Sequence, residues 1–229
     1  GAGNLVINAN NTFTGAVNIS AGRLIAGNSD PSSSLEDTVA VYVNSGATYE
    51  LGGSEIMGTL TGAGSIVLNN HALTAYNGGT SGTFSGVISG SGGFKVAANG
   101  SATLTGNSTY TSTTTLLANA TLTLGAGGTS GSLASSQISF AGGSNLIINR
   151  SNDVELTANL TSIGGTQTIT KSGANKLTLS GASTTLNNFA GTLAVNAGTL
   201  EVQSNLGAST SITVQNNGSA VIYNSSANQ

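Results

Sequence analysis

Asp153 and Glu155 come closest to a pattern that could do chemistry. They are spaced i, i+2, which on an extended strand turns both carboxylates to one side, opposite Val154 and Leu156. Two carboxylates can cleave a glycosidic bond, one as acid and one as base or nucleophile. Polysaccharide-cleaving sites join such acids to Lys, Arg or His, and here five Lys and Arg and eight Asp and Glu are scattered over 229 residues. A solvated charged strand face is the favoured reading of the pair. His71, the single histidine, has only Asn69, Asn70 and Tyr76 nearby, weak partners for a metal or a triad. It reads as a turn residue after a strand ending at Leu68. No catalytic, cofactor-binding or metal-binding residue is assigned, and no cofactor is expected.

The remaining signals are weighed the same way. Glu36 and Asp37 follow Asp30-Pro31-Ser32-Ser33-Ser34, so residues 28–38 are read as a loop leaving the scaffold, where binding residues tend to sit. Three Asp are too few for a calcium-binding glycine–aspartate array. Gly125-Ala126-Gly127-Gly128 lacks the Lys of a phosphate loop and any following helix. Sequons at Asn18, Asn99, Asn107, Asn119 and Asn159 follow from a composition rich in Asn, Ser and Thr. Thr-x-Thr pairs at Thr103/Thr105, Thr113/Thr115, Thr121/Thr123 and Thr168/Thr170 are the type found on ice-binding solenoids. An ice-binding surface needs a fixed coil period, and these intervals are irregular in sequence. Thr favours exposed strand faces in any case.

Which elements would carry these residues? Charged residues make up 6% of the chain and hydrophobic ones 38%, with 34 Gly, one Pro, no Cys and a net charge of -3. Disorder calls for less hydrophobicity and more net charge. The absence of Cys excludes a disulfide scaffold and thiolate chemistry. The shortage of Lys and Arg disfavours nucleic acid and anionic membrane surfaces as partners. No apolar run approaches the roughly eighteen residues of a membrane helix, so direct insertion by this segment is not expected. No basic n-region or apolar h-region follows Gly1, so any secretion signal would lie outside the chain.

One unit recurs: a short alternating strand, a small polar turn with Gly, and another alternating strand. Val41-Tyr42-Val43-Asn44-Ser45-Gly46-Ala47-Thr48-Tyr49-Glu50-Leu51 shows it, as do Leu193 to Val202 and Ile212 to Ile222. Period-two alternation makes one face of each strand apolar. The inward sets run from Leu5/Ile7, Val17/Ile19 and Val41/Val43 through Leu122/Leu124 and Leu177/Leu179 to Leu193/Val195, Leu200/Val202 and Ile212/Val214. Gly in the turns supplies positive φ, and Asn tolerates it. A sandwich would call for hairpin turns and longer strands. Strands of four or five residues joined by Gly corners instead predict an all-β, right-handed, single-stranded parallel β-helix. About three strands per coil of roughly 20–30 residues give on the order of seven to ten coils, with Asn and Thr free to form ladders in the turns.

These residues resemble the passenger-associated repeat of bacterial autotransporters. Asn11-Thr12-Phe13-Thr14-Gly15 precedes Ala21-Gly22-Arg23-Leu24, Ser108-Thr109-Tyr110-Thr111-Ser112 precedes Ala120-Thr121-Leu122-Thr123-Leu124, and Asn188-Phe189-Ala190-Gly191 precedes Ala197-Gly198-Thr199-Leu200. The second copy has Ser112 and Asn119 where glycines are expected. The resemblance implies a passenger displayed outside, or on the outer surface of, a Gram-negative bacterium, with a membrane β-barrel translocator beyond this chain. Residues 1–229 would then be one β-helix domain within a longer passenger. The function expected is non-catalytic and adhesive, with surface glycans, surface proteins or identical copies as partners. An extracellular filament subunit is the alternative, and a polysaccharide-active enzyme or ice-binding protein a weaker one.

Overall fold

The computed structural model describes residues 3–27, 35–180, 189–203 and 206–222. Every strand pairing among them is parallel, and the strands stack as a β-solenoid of about nine turns without helices. One coil shows the plan. Ser65–Val67 lies on a first face, Ala72–Ala75 on a third, Ser81–Phe84 on a second, and Val87–Ser89 returns to the first. Each strand bonds its counterparts one coil away, giving three columns of strands. Coil length varies: Asn4 lies beside Arg23, Arg23 beside Thr48, and Thr48 beside Ser65, advances of 19, 25 and 17 residues. The corners absorb the difference and the strands keep register.

The alternation read from sequence sets the interior. Val41, Val43, Ile66, Leu122, Leu146, Leu177 and Leu193 are fully buried in one continuous core. Burying a Val, Leu or Ile side chain contributes roughly 1.5–3 kcal/mol, so short strands become stable only when covered from both sides. The two terminal strands show this by default. Leu5 is 62% and Val214 47% exposed, against the inward placement expected for both, because Asn4–Ile7 and Ser211–Ile222 each have one strand neighbour. Ile7 and Ile212 are half-buried against the core.

Three features were not foreseen. The expected turn between Leu193–Val195 and Leu200–Val202 is no break in pairing: Gly191–Val202 is one strand that passes from the second face to the first through a register shift at Val195/Ala197. Aromatic side chains other than Phe140, whose inward place follows from its alternation with Ile138, also fill the interior: Tyr49, Tyr76, Tyr110, Phe84 and Phe94 are fully buried, and the Phe140 and Phe189 rings meet edge-to-face at 5.5 Å. Thr178, outward by alternation, is buried nonetheless, flanked in register by Glu155 and Glu201. Of the expected loop 28–38, residues 28–34 lie outside the described residues. Leu35 packs into the core, and Glu36 closes a turn by accepting the Val39 amide at 2.9 Å.

Candidate functional surface

Asp153 and Glu155 do share one side of Val154–Leu156, but each is engaged in holding the next coil. Asp153 accepts the Lys176 amide at 2.8 Å, and Glu155 accepts from the Ser180 hydroxyl. Among the described residues no group of three His, Cys, Asp or Glu gathers as metal ligands. His71 sits in a turn, its amide bonded to the Leu68 carbonyl at 2.9 Å, as its sequence position implied. A cleft of about 730 Å³ on the third face is lined by Glu36, Asp37, Glu55 and Lys95. Glu55 is buried there and accepts the Leu35 amide at 2.8 Å, a strut for the chain rather than a free acid.

Two buried cations escaped the sequence reading. Arg150 bonds the Thr129 carbonyl, the Gly131 carbonyl at 3.2 Å and Asn152 Oδ1 at 3.0–3.1 Å. Lys171 bonds the Gly173 carbonyl, Asn175 Oδ1 at 2.8 Å and the Ala197 carbonyl at 3.3 Å. Both lie where coils turn from the second face to the first. Burial pushes the pKa of each down, and for Lys171 the nearby Asp153 opposes that shift. They gather turn carbonyls that the strands leave unpaired, which buried polar groups require. Arg150 follows the strand Asn145–Ile148 and so belongs to no alternation, while Lys171 closes the strand Gln167–Lys171 at an inward position where an apolar residue is the usual signal.

The outward positions form ordered ladders. On the second face one column runs Ser81, Ser101, Thr121, Asn145, Thr168, Thr192, Ser211, and the next runs Thr83, Thr103, Thr123, Ile147, Thr170, Ala194, Thr213. Pairing is one-to-one across all seven strands, although the intervals in sequence range from 19 to 24 residues. The irregular spacing of the Thr-x-Thr pairs is therefore a property of the corners and not of the face. Neither column carries a charge. Charged pairs sit on the first face instead, where Arg23 meets Glu50 and Lys176 meets Glu201 at 2.9 Å. Two hydrogen bonds, each worth about 1 kcal/mol net, tie side chains within the ladders: Thr192 with Ser211 at 3.0 Å, and Thr170 to Asn145 at 3.2 Å.

Fold and surface together define a parallel β-solenoid with uncharged hydroxyl-bearing ladders on one face. The passenger-associated-transport-repeat family model matches residues 1–26 and 169–202, which supports an autotransporter passenger carrying such repeats. That family implies a surface or extracellular location in Gram-negative bacteria and suggests a structural module. No curated protein and no solved structure matches the chain. The described strands of the two matched segments take equivalent places: Val17–Ile19 and Leu193–Val195 lie on the second face, Gly22 and Gly198 take φ of 74° and 70° at the corner, and Leu24 and Leu200 follow on the first. The copy read around Tyr110 to Leu124 is not equivalent. Its Thr121–Leu124 lies on the second face and its turn is the corner from the third.

Proposed function

We propose that the chain is a segment of a surface-displayed passenger that mediates adhesion, either to glycans or proteins of another surface or to copies of itself. The observation that carries this reading is the repeat-family match on residues 1–26 and 169–202, two segments of one continuous stack. Stacked coils place similar side-chain types side by side along the second face, so a partner there meets many similar contacts at once. Each hydrogen bond is worth only about 1 kcal/mol net, and repetition along the rod lets weak contacts sum by avidity. The acids that sequence offered for hydrolysis hold neighbouring coils together, which favours a mechanical role over a catalytic one.

The test is display. The chain fused to a translocator barrel on bacteria that otherwise stay dispersed should make them settle, or bind immobilised glycans or matrix proteins, more than the barrel alone. Equal settling and equal binding would end the adhesive reading.

A further inference from the structure

We infer that the second face of the solenoid binds ice, through its two columns of Ser and Thr hydroxyls and methyls. Neighbouring strands of a sheet lie about 4.7–4.9 Å apart, and alternate residues of a parallel strand about 6.6 Å apart along it. Strict register over seven strands thus fixes a two-dimensional lattice whose repeats resemble those between oxygens on a prism plane of ice. In a solenoid each coil contacts only its neighbours, and the one-to-one pairing repeats the same spacing from each coil to the next.

The chemistry of the face selects ordered water over other flat partners. It bears no charge in either column, so it neither attracts a charged partner nor holds the tight hydration shell of an ion. Threonine offers a hydroxyl to join a water lattice and a methyl to order the water beside it, while Ile147 and Ala194 keep the methyl alone. The bonds Thr192–Ser211 and Thr170–Asn145 hold side chains in place before any contact is made. A glycan surface calls for aromatic platforms on which sugar rings stack. Among the described residues the exposed ring of the face is Tyr42, at one end of the stack, beyond the two columns.

The experiment is partition of the purified, fluorescently labelled chain into a slowly growing ice crystal, together with ice recrystallisation in frozen films. The chain should enter the ice and restrain recrystallisation. The Thr103→Tyr, Thr123→Tyr double variant should lose both effects while circular dichroism stays unchanged, and Thr115→Tyr on the third face should keep both. If the double variant fails to fold, Thr83→Tyr alone, at an exposed position, replaces it and should show the same loss. Exclusion of the wild-type chain from ice, or full activity in a folded second-face variant, overturns the proposal. Retention on crystalline cellulose without any effect on ice also overturns it and assigns the face to glycan. The outcome is independent of the display experiment, since it needs neither a cell nor a translocator.

Discussion

The side-chain amide of Asn119 donates to the side-chain oxygen of Asn99 across 3.1 Å, linking the same corner of two successive coils. Both residues have positive φ, 58° and 59°, and the next coil places Gly143 there at 76°. Backbone shape and ladder are separate contributions at this corner, and they can be separated by mutation. Asn119→Gly keeps the backbone and loses the ladder, so its cost should stay at or below about 1 kcal/mol. Asn119→Val adds a β-branched side chain in the left-handed region, which costs of order 1–3 kcal/mol more. Urea denaturation midpoints of the two variants should fall in that order, and equal midpoints would show that the corner does not depend on φ.

The interior predicts a sharper contrast. Leu179 is 2% exposed, and Leu179→Ala should cost about 2–5 kcal/mol through lost burial and a residual cavity. Leu179→Asp would bury an unpaired charge and should prevent folding of the coils around it. Its neighbour Thr178 lies between Glu155 and Glu201 in register. Thr178→Asp should therefore destabilise more at neutral pH than the uncharged Thr178→Asn, because it buries a carboxylate beside Glu155. Equal denaturation midpoints for the two variants would refute the crowding of charge on that strip.

How much of this was legible beforehand depends on which residues carry alternation. The strands and the inward set from Val17 to Val202 follow from period two, because a solenoid applies the same in–out rule in every coil. Leu5 and Val214 break the rule for a reason alternation cannot encode, since burial of a strand needs a neighbour on each side. The ladders of the second face were hidden for the opposite reason. Sequence distance between Thr103, Thr123 and Thr170 includes corners of unequal length, whereas the pairing ignores the corners. Arg150 belongs to a corner, whereas Gln167 and Lys171 take inward positions at the two ends of the strand Gln167–Lys171, and all three are buried donors to turn carbonyls. An alternation read from apolar side chains passes over polar residues at inward positions, and the carbonyls they serve are set by backbone geometry. The repeat motif worked where Gly sits at the corner leading to the first face, as at Gly22 and Gly198. It misled at Asn119, which meets the same need for positive φ at another corner.

Three core tyrosines predict the response to alkali. Burial raises the pKa of Tyr49, Tyr76 and Tyr110 above the ordinary 10.0, with Glu55 adding to the shift of Tyr49 and the Thr114 hydrogen bond partly opposing that of Tyr110. The folded chain therefore keeps phenolic protons that the unfolded chain sheds once pH passes 10.0. Stability is full below that value and falls above it, by up to about 1.4 kcal/mol per pH unit for each tyrosine. Phenolate absorbance from these three should appear together with loss of the β-sheet circular dichroism. Reversible appearance of their phenolate signal with the sheet signal intact would contradict their burial.

The same three tyrosines differ in one respect, and it yields opposite expectations for three similar substitutions. Tyr76 donates to the Leu60 carbonyl at 3.1 Å, and Tyr110 shares a 2.7 Å bond with the Thr114 hydroxyl, which itself donates to Ser135 at 3.0 Å. The Tyr49 hydroxyl is equally buried but has no hydrogen-bond partner among the described residues. A buried hydroxyl without a partner costs about 1–3 kcal/mol of desolvation, whereas a satisfied one contributes about 1 kcal/mol. Tyr49→Phe should thus leave stability unchanged or raise it, while Tyr76→Phe and Tyr110→Phe should each lower it by about 1 kcal/mol. Tyr110→Phe should be the more damaging of the two, because Thr114 is fully buried and loses one of the two hydroxyls it contacts. Thermal unfolding of the three variants beside the parent decides the matter. A Tyr49→Phe loss as large as that of Tyr110→Phe would mean that the Tyr49 hydroxyl has found a partner, with Glu55, the acid acting on it, the first place to look.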